Sequence, residues 1–213
     1  MGTYKSIFKL NGNVGGWIFY ELNGKPVVRS MPKKKIGPKS KAQEESAFLN
    51  KEFGDATVAG KHLRKAMEDE FKQGGDRKLY QRLASLFVTI KNFDTAPKGE
   101  KTVAGGLKTP DGAERFAFFN FYSDTPNHSR RLSVTRSSSG LLASLQPEPT
   151  TPWELIELQV DLVRGHFRKE VHYLDAQKAV PLKKKFRNKK GFVTVFFYCG
   201  KGYMMGAVAE DQG

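Results

Sequence analysis

Phe192-Val193-Thr194-Val195-Phe196-Phe197-Tyr198 places apolar side chains on both faces of any strand it forms, because side chains alternate across a strand with a period of two. A strand of that composition needs cover on both sides and belongs at the centre of a sheet. Five more strand-length runs bounded by turn residues surround it in the second half of the chain: Phe116–Tyr122, Arg131–Thr135, Leu155–Val163, Phe167–Leu174 and Tyr203–Val208. Leu158, Val160 and Leu162 alternate with Glu157, Gln159 and Asp161, which predicts one wet face on that strand. Six short strands at this spacing predict a β-sandwich or open barrel of the immunoglobulin-like type, of which the sandwich is the expectation carried forward.

The first half reads differently. Ile7, Phe8 and Leu10, a Gly-rich turn at 11–16, and two runs, Trp17–Leu22 and Val27–Val28, flank Asn23-Gly24. Asn-Gly between apolar runs predicts a β-hairpin, since both residues tolerate the positive φ of a type I′ turn. Ser40 and Gln43 form a capping-box start, and Leu49, Phe53, Ala56, Leu63, Met67 and Phe71 recur at helical spacing. Gly54 and Gly60 weaken that helix by about 1 kcal/mol each relative to Ala, so close packing or a bend is expected there. Gly74-Gly75 ends it, and Asp76 opens a second helix with a stripe of Leu79, Leu83, Leu86 and Ile90. The composition then shifts to Pro, Gly, Lys and Thr. The expected organisation is α+β: a hairpin and αα-hairpin module over 1–95, a linker over 96–112 and a β-sandwich over 113–213.

Charge is the chain's most distinctive chemical property. Its 36 Lys and Arg against 22 Asp and Glu give a formal net charge of +14 over 213 residues. Six of the eight residues from 183 to 190 are basic (Lys183, Lys184, Lys185, Arg187, Lys189, Lys190) and none is acidic. A second run, Lys33, Lys34, Lys35, Lys39 and Lys41, lies between and beyond Pro32 and Pro38, and Arg130, Arg131 and Arg136 form a third cluster. Such runs create a positive field that attracts polyanions, and their side chains can neutralise phosphates with release of counterions. Phe186 inside the last run offers a ring that could stack on a base, although core packing is the favoured account of it. Solubilising loops would also use lysine in this way.

Two stretches, Gly12-Asn13-Val14-Gly15-Gly16-Trp17-Ile18-Phe19-Tyr20 and Glu52-Phe53-Gly54-Asp55-Ala56 with Ala59-Gly60-Lys61 and Leu63-Arg64, together resemble a family of uncharacterised proteins of Bacteroidota-type bacteria. That family combines a G-x-[VI]-G-x-x-x-F-Y leader with an E-F-G-x-A-x-x-A-G-K-x-L-R helix. The resemblance spans about the first ninety residues, implies a bacterial protein without disulfides and brings no activity or site residues with it.

Motifs for chemistry are weak. Residues 54–62 have the wrong spacing for a phosphate loop and lie within a predicted helix, and no helix follows Gly12, Gly15 and Gly16 to make a dinucleotide fingerprint. His62, His128, His166 and His172 lack a metal-ligand spacing, and Cys199, the one cysteine, ends an apolar strand and excludes an intrachain disulfide. No run approaches the ~20 apolar residues of a membrane span. The expectation is a cytoplasmic, non-enzymatic protein without a cofactor or metal. It would bind DNA, RNA or a nucleoprotein surface through the Lys/Arg runs, or alternatively act as an assembly protein docking through exposed strands and the Trp17, Phe19 and Tyr20 hairpin.

Overall fold

The computed structural model describes residues 2–3, 10–33, 37–38, 40–125, 130–137, 140–176, 179–183 and 185–211. The chain divides into two compact units, Met1–Lys41 and Ala42–Gly213.

In the first unit, β1 (Gly2–Thr3), β2 (Gly12–Val14), β3 (Trp17–Leu22) and β4 (Lys25–Ser30) form an antiparallel sheet of order β1-β4-β3-β2. The Asn-Gly hairpin is present as read: Leu22 pairs with Lys25, and Asn23 and Gly24 take φ of 49° and 75°. Most of this sheet is exposed, with Val27 buried.

α1 (Lys41–Ala66) starts at the last residue of the first unit and carries the chain into the second, followed by α2 (Glu68–Gly74) and α3 (Leu79–Asn92). The single long helix expected after residue 40 is broken at Met67, and Gly75 in the left-handed region closes α2. The α3 stripe of Leu79, Leu83, Leu86 and Ile90 is buried as expected. On α1 the stripe holds only from Ala56 onward, and Leu49 and Phe53 remain about half exposed. Gly60 does permit close packing, for its backbone lies against Leu83 and Phe87 of α3, whereas Gly54 faces open space.

Residues 96–112 are not a linker. Thr102 and Thr109 cap two short helices, α4 (Val103–Gly106) and α5 (Pro110–Ala117), by accepting the Gly105 and Gly112 amides at 2.9 and 3.2 Å. Val103, Leu107 and Ala113 are buried. The glycines that gave the stretch its loop-like composition are sites of backbone contact: a Cβ at Gly106 would overlap the Ile90 carbonyl oxygen, and one at Gly112 the Gly106 carbonyl oxygen. The strand expected over 116–122 is the end of α5 and a loop whose Phe116 and Phe121 rings are fully buried. A short aromatic run has no periodicity to separate the two outcomes.

Seven strands follow: β5 (Arg131–Ser137), β6 (Gly140–Gln146), β7 (Trp153–Val160), β8 (Phe167–Leu174), β9 (Val180–Leu182), β10 (Val193–Gly200) and β11 (Tyr203–Asp211). They hydrogen-bond in the order β8-β7-β10-β11-β5-β6-β9, antiparallel throughout except between β11 and β5. The strand spacing led to a sandwich or open barrel of the immunoglobulin-like type; the hydrogen-bonded order joins all seven strands in one sheet, which does not establish the immunoglobulin-like arrangement. The α+β class stands. β6 and β9 were not anticipated, and β9 carries Pro181 at the sheet's edge, where a missing N–H is tolerated.

β10 lies inside the sheet, between β7 and β11, with Phe196 and Phe197 on opposite faces and both fully buried. On the Phe197 face, Ile156, Leu158, Val160, Val195 and Met204 pack with Leu63, Leu83, Phe87 and Phe116 of the helices. On the Phe196 face the cluster draws on all seven strands, from Leu132 and Leu145 to Trp153, Leu174 and Leu182, and contains no helical residue. One sheet can bury its own face only by curling, so the sheet is a near-barrel. Because α1, α3, α4 and α5 share a core with β7, β10 and β11, the unit continues without a break from residue 42 to 213, and the expected division at 95 and 112 is absent.

Candidate nucleic-acid interface

The basic run enters directly from β9 and is held by β7. Glu157 and Gln159, expected on a wet face, are 0% and 1% exposed. Glu157 accepts the Lys185 amide at 2.9 Å and the Phe186 amide at 3.3 Å, and its Oε2 lies 2.8 Å from His172 Nε2. The Gln159 side-chain amide donates to the Arg187 carbonyl at 2.8 Å. Asp161 is also buried. It receives the Val163 and Arg164 amides at 2.9 Å each in the turn between β7 and β8, and though burial pushes its carboxyl up, those bonds hold it below the ordinary value. What alternation presented as a solvated face is a row of side chains bonded to the chain's own backbone.

This arrangement fixes the backbone of the run and leaves its cations outside. Lys183, Lys185, Arg187, Lys189 and Lys190 are all exposed, and among the described residues none of them is in an ion pair. Glu157 is spent on amides and a histidine. Phe186 is half-buried, and the ring that meets a cation is Phe192, with Lys189 Nζ 4.5 Å from its centroid.

Past the run, at the end of the sheet where β5 and β11 finish and β10 starts, lies a cavity of about 300 Å³. Lys108 from the segment after α4, Arg136 from β5 and Lys189 from the run all line it, together with Asn188, Thr194 and the apolar Leu107, Leu141 and Val193. No acidic residue lines it among the described residues. The fold thus unites two of the sequence's basic clusters, through Arg136 and Lys189, and adds Lys108, for which no sequence signal existed.

Other predicted residues lie elsewhere. Arg130 and Arg131 sit at the opposite end of β5 from Arg136, roughly 17–20 Å away at ~3.4 Å per residue. Arg131 is exposed, and the Arg130 guanidinium stands 3.9 Å over the Tyr203 ring, which in turn contacts Tyr198. Lys33 and Lys41 are exposed residues of the first unit. Lys34, Lys35, Lys39 and Lys184 fall outside the described residues.

The remaining reactive groups have structural partners. His62 Nδ1 is 3.0 Å from the Leu162 carbonyl oxygen and its ring packs on Gly165, so it fastens α1 to the β7–β8 turn. His166 is exposed and His128 lies outside the described residues. No cluster of three or more His, Cys, Asp or Glu with metal-binding geometry occurs among the described residues. Burial pushes the Cys199 thiol up to about 11, which keeps it protonated at neutral pH and a poor nucleophile. Among the described residues no helix is long and apolar enough to cross a membrane.

Comparison of the chain with protein-family models, with curated proteins and with solved structures gives no match.

Proposed function

We propose that this chain is a non-enzymatic protein that binds nucleic acid, or the nucleic-acid face of a nucleoprotein, through the basic run at 183–190 and its neighbours Arg136 and Lys108. The observation that carries this reading is the buried Glu157 carboxylate, which accepts the Lys185 and Phe186 amides of the run while its five described cations are exposed and outside any ion pair. Ordering a segment before binding removes part of the entropy cost of docking it. Lysine and arginine on such a rim neutralise phosphates without reading bases. Lys33 and Lys41 of the first unit add a second set of exposed cations. A cytoplasmic setting fits the lone, half-buried cysteine, and the resemblance of the first ninety residues to uncharacterised bacterial proteins fits a bacterial one.

Fluorescence anisotropy with a single-stranded 12-mer and a matched duplex, each at 50 mM salt, tests the proposal. Saturable binding that weakens as salt rises is expected, and failure to retain either probe at that salt overturns it.

A second reading, assembly through protein contacts, has its own support. Phe48, Leu49, Phe53 and Val58 leave large apolar area exposed along α1, and Trp17 is half exposed in the first unit. Mass measurement across a hundredfold concentration range separates the two, since this second reading requires an oligomer.

A further inference from the structure

We infer that the sheet of the first unit stacks unpaired bases on Trp17, so that the nucleic acid this chain binds is single-stranded. The inference rests on the reading of the chain as a nucleic-acid-binding protein, and it names the form of the ligand and a base contact that the 183–190 run does not supply.

The net charge is divided unevenly between the two units. Residues 1–41 carry nine Lys and Arg and one acid, Glu21, a formal +8, whereas the 172 residues that follow carry 27 Lys and Arg against 21 Asp and Glu, a formal +6. More than half of the chain's surplus thus belongs to its smaller unit, and a field so concentrated attracts polyanions. Lys25, Arg29, Lys33 and Lys41 of that unit are exposed, and among the described residues none of them is in an ion pair.

An uncommitted ring stands in that field. Tryptophan is highly buried on average. Trp153, the other tryptophan of the chain, follows the rule: it is 5% exposed and its indole N–H donates to the Asp175 carbonyl at 3.1 Å. Trp17 is 51% exposed, and among the described residues no aromatic ring, cation or hydrogen-bond partner meets its side chain. It lies on β3 directly opposite Val14 of β2 and Ser30 of β4, and opposed residues share a face of the sheet. Val14 is itself 59% exposed, which sets an apolar ledge beside the indole. Gly15 and Gly16, at φ of 55° and 83°, make the β2–β3 turn next to the ring without adding a side chain. Phe19 shares the face but has a contact of its own, which leaves Trp17 as the open ring.

Stacking on an aromatic side chain accepts any base, because every base has a π-face, and it requires that the face be free of a base-paired stack. A duplex offers no such face to a ring on a sheet. The phosphates of a strand seated there have a cation close by: Met31 N donates to the Gly16 carbonyl at 2.7 Å, which carries the β3–β4 pairing one step past Trp17, and the exposed Lys33 follows two residues later. Glu21 lies on the Trp17 side of β3 but four residues along, roughly 13 Å away at the usual rise per residue. A protein partner would also cover an apolar ledge, but a formal +8 in 41 residues favours a polyanion.

The test follows a labelled thymidine 12-mer and an abasic 12-mer of the same phosphate count by anisotropy with the full chain at 50 mM salt, and tryptophan emission on titration with the unlabelled strands. The thymidine strand is expected to bind about tenfold more tightly than the abasic one and to quench the emission, and Trp17→Ala to weaken the thymidine strand about tenfold while leaving the abasic strand within about twofold. Trp17→Phe, which keeps a ring, should retain most of the affinity and lose the quenching. Equal affinity for the two strands in the unaltered chain overturns the inference and leaves the reading of the basic run standing, whereas binding of neither strand overturns both. In a folded Trp17→Ala variant, unchanged affinity for the thymidine strand or equal weakening of both strands also overturns it. Should that variant fail to fold, emission from the unaltered chain decides, and strand binding without quenching overturns the inference. If Trp17→Ala lowers the mass of the protein in solution and leaves strand affinity alone, the ring belongs to a self-association face and the inference falls.

Discussion

Glu157 Oε2 lies 2.8 Å from His172 Nε2, and both side chains are buried beneath the most basic segment of the chain. The same carboxylate accepts the amides of Lys185 and Phe186, so one acidic residue on β7 ties an adjacent strand and a distant loop together. A buried acceptor removed without replacement leaves its donors unsatisfied, at about 1–3 kcal/mol each.

Glu157→Ala is therefore expected to lower the unfolding free energy by about 2–4 kcal/mol, within the range for a broken buried network. It should also raise the hydrogen-exchange rates of the Lys185 and Phe186 amides above those of the β10 amides. Urea denaturation and exchange mass spectrometry measure the two effects. Unchanged exchange at 185–186 would show that the carboxylate does not hold the run.

Acid sensitivity follows from three buried or partly buried carboxylates whose affinity for protons is lowered on folding. Burial pushes the Glu52 carboxyl up, but the Lys91 ammonium at 2.5 Å and the Gly99 and Lys101 amides outweigh it and hold it below 4.5. Asp94 is likewise held below 3.8 by the Thr102 and Ala96 amides and the Thr102 hydroxyl, against its burial, and Asp161 by the bonds described above. A lowered folded-state value contributes stability above the unfolded value and loses it as pH falls toward the folded one. Stability should thus hold from neutral pH to about 5 and decline below about 4.5. Glu52→Gln, unfolded by urea at pH 7 and pH 4, is expected to be less stable at pH 7 and to lose less on acidification. A variant that loses as much as the parent chain contradicts the assignment.

Gly106 and Gly54 make opposite predictions within one unit. A methyl at Gly106 meets the Ile90 backbone oxygen, which cannot move without disturbing α3, so Gly106→Ala is expected to cost about 3 kcal/mol. Gly54 lies in the middle of α1 with open space around its Cα, and Gly54→Ala is expected to add about 0.5–1 kcal/mol. Thermal melting of both variants checks the pair. A harmless Gly106→Ala would restore the linker that composition favours at 96–112.

These glycines also show where sequence reading fails. Asn23-Gly24 and the Phe192–Tyr198 run were legible because their signals are local: a positive-φ dipeptide, and apolar residues on both faces. Residues 102–113 were not, since short helices packed backbone to backbone use the same Gly, Thr and Pro as a loop. Glu157 and Gln159 misled for a related reason. Polar alternation looks identical whether water or a backbone segment nearly thirty residues away meets the side chains. At the candidate site the cations of the run were visible as exposed charge, but their meeting with Arg136 and Lys108 depends on how β5, β10 and α4 come together, and no spacing in the chain encodes that.

The salt dependence of single-strand binding, compared between the unaltered chain and a Lys183→Ala, Lys185→Ala, Lys189→Ala, Lys190→Ala variant, tests the central claim most directly. At about 0.7 per phosphate contact on single strands, removing four contacts should flatten the slope of log K against log salt by about 3, with weaker binding at every salt concentration. An identical slope and affinity in the two proteins would show that the segment anchored by Glu157 does not contact phosphate.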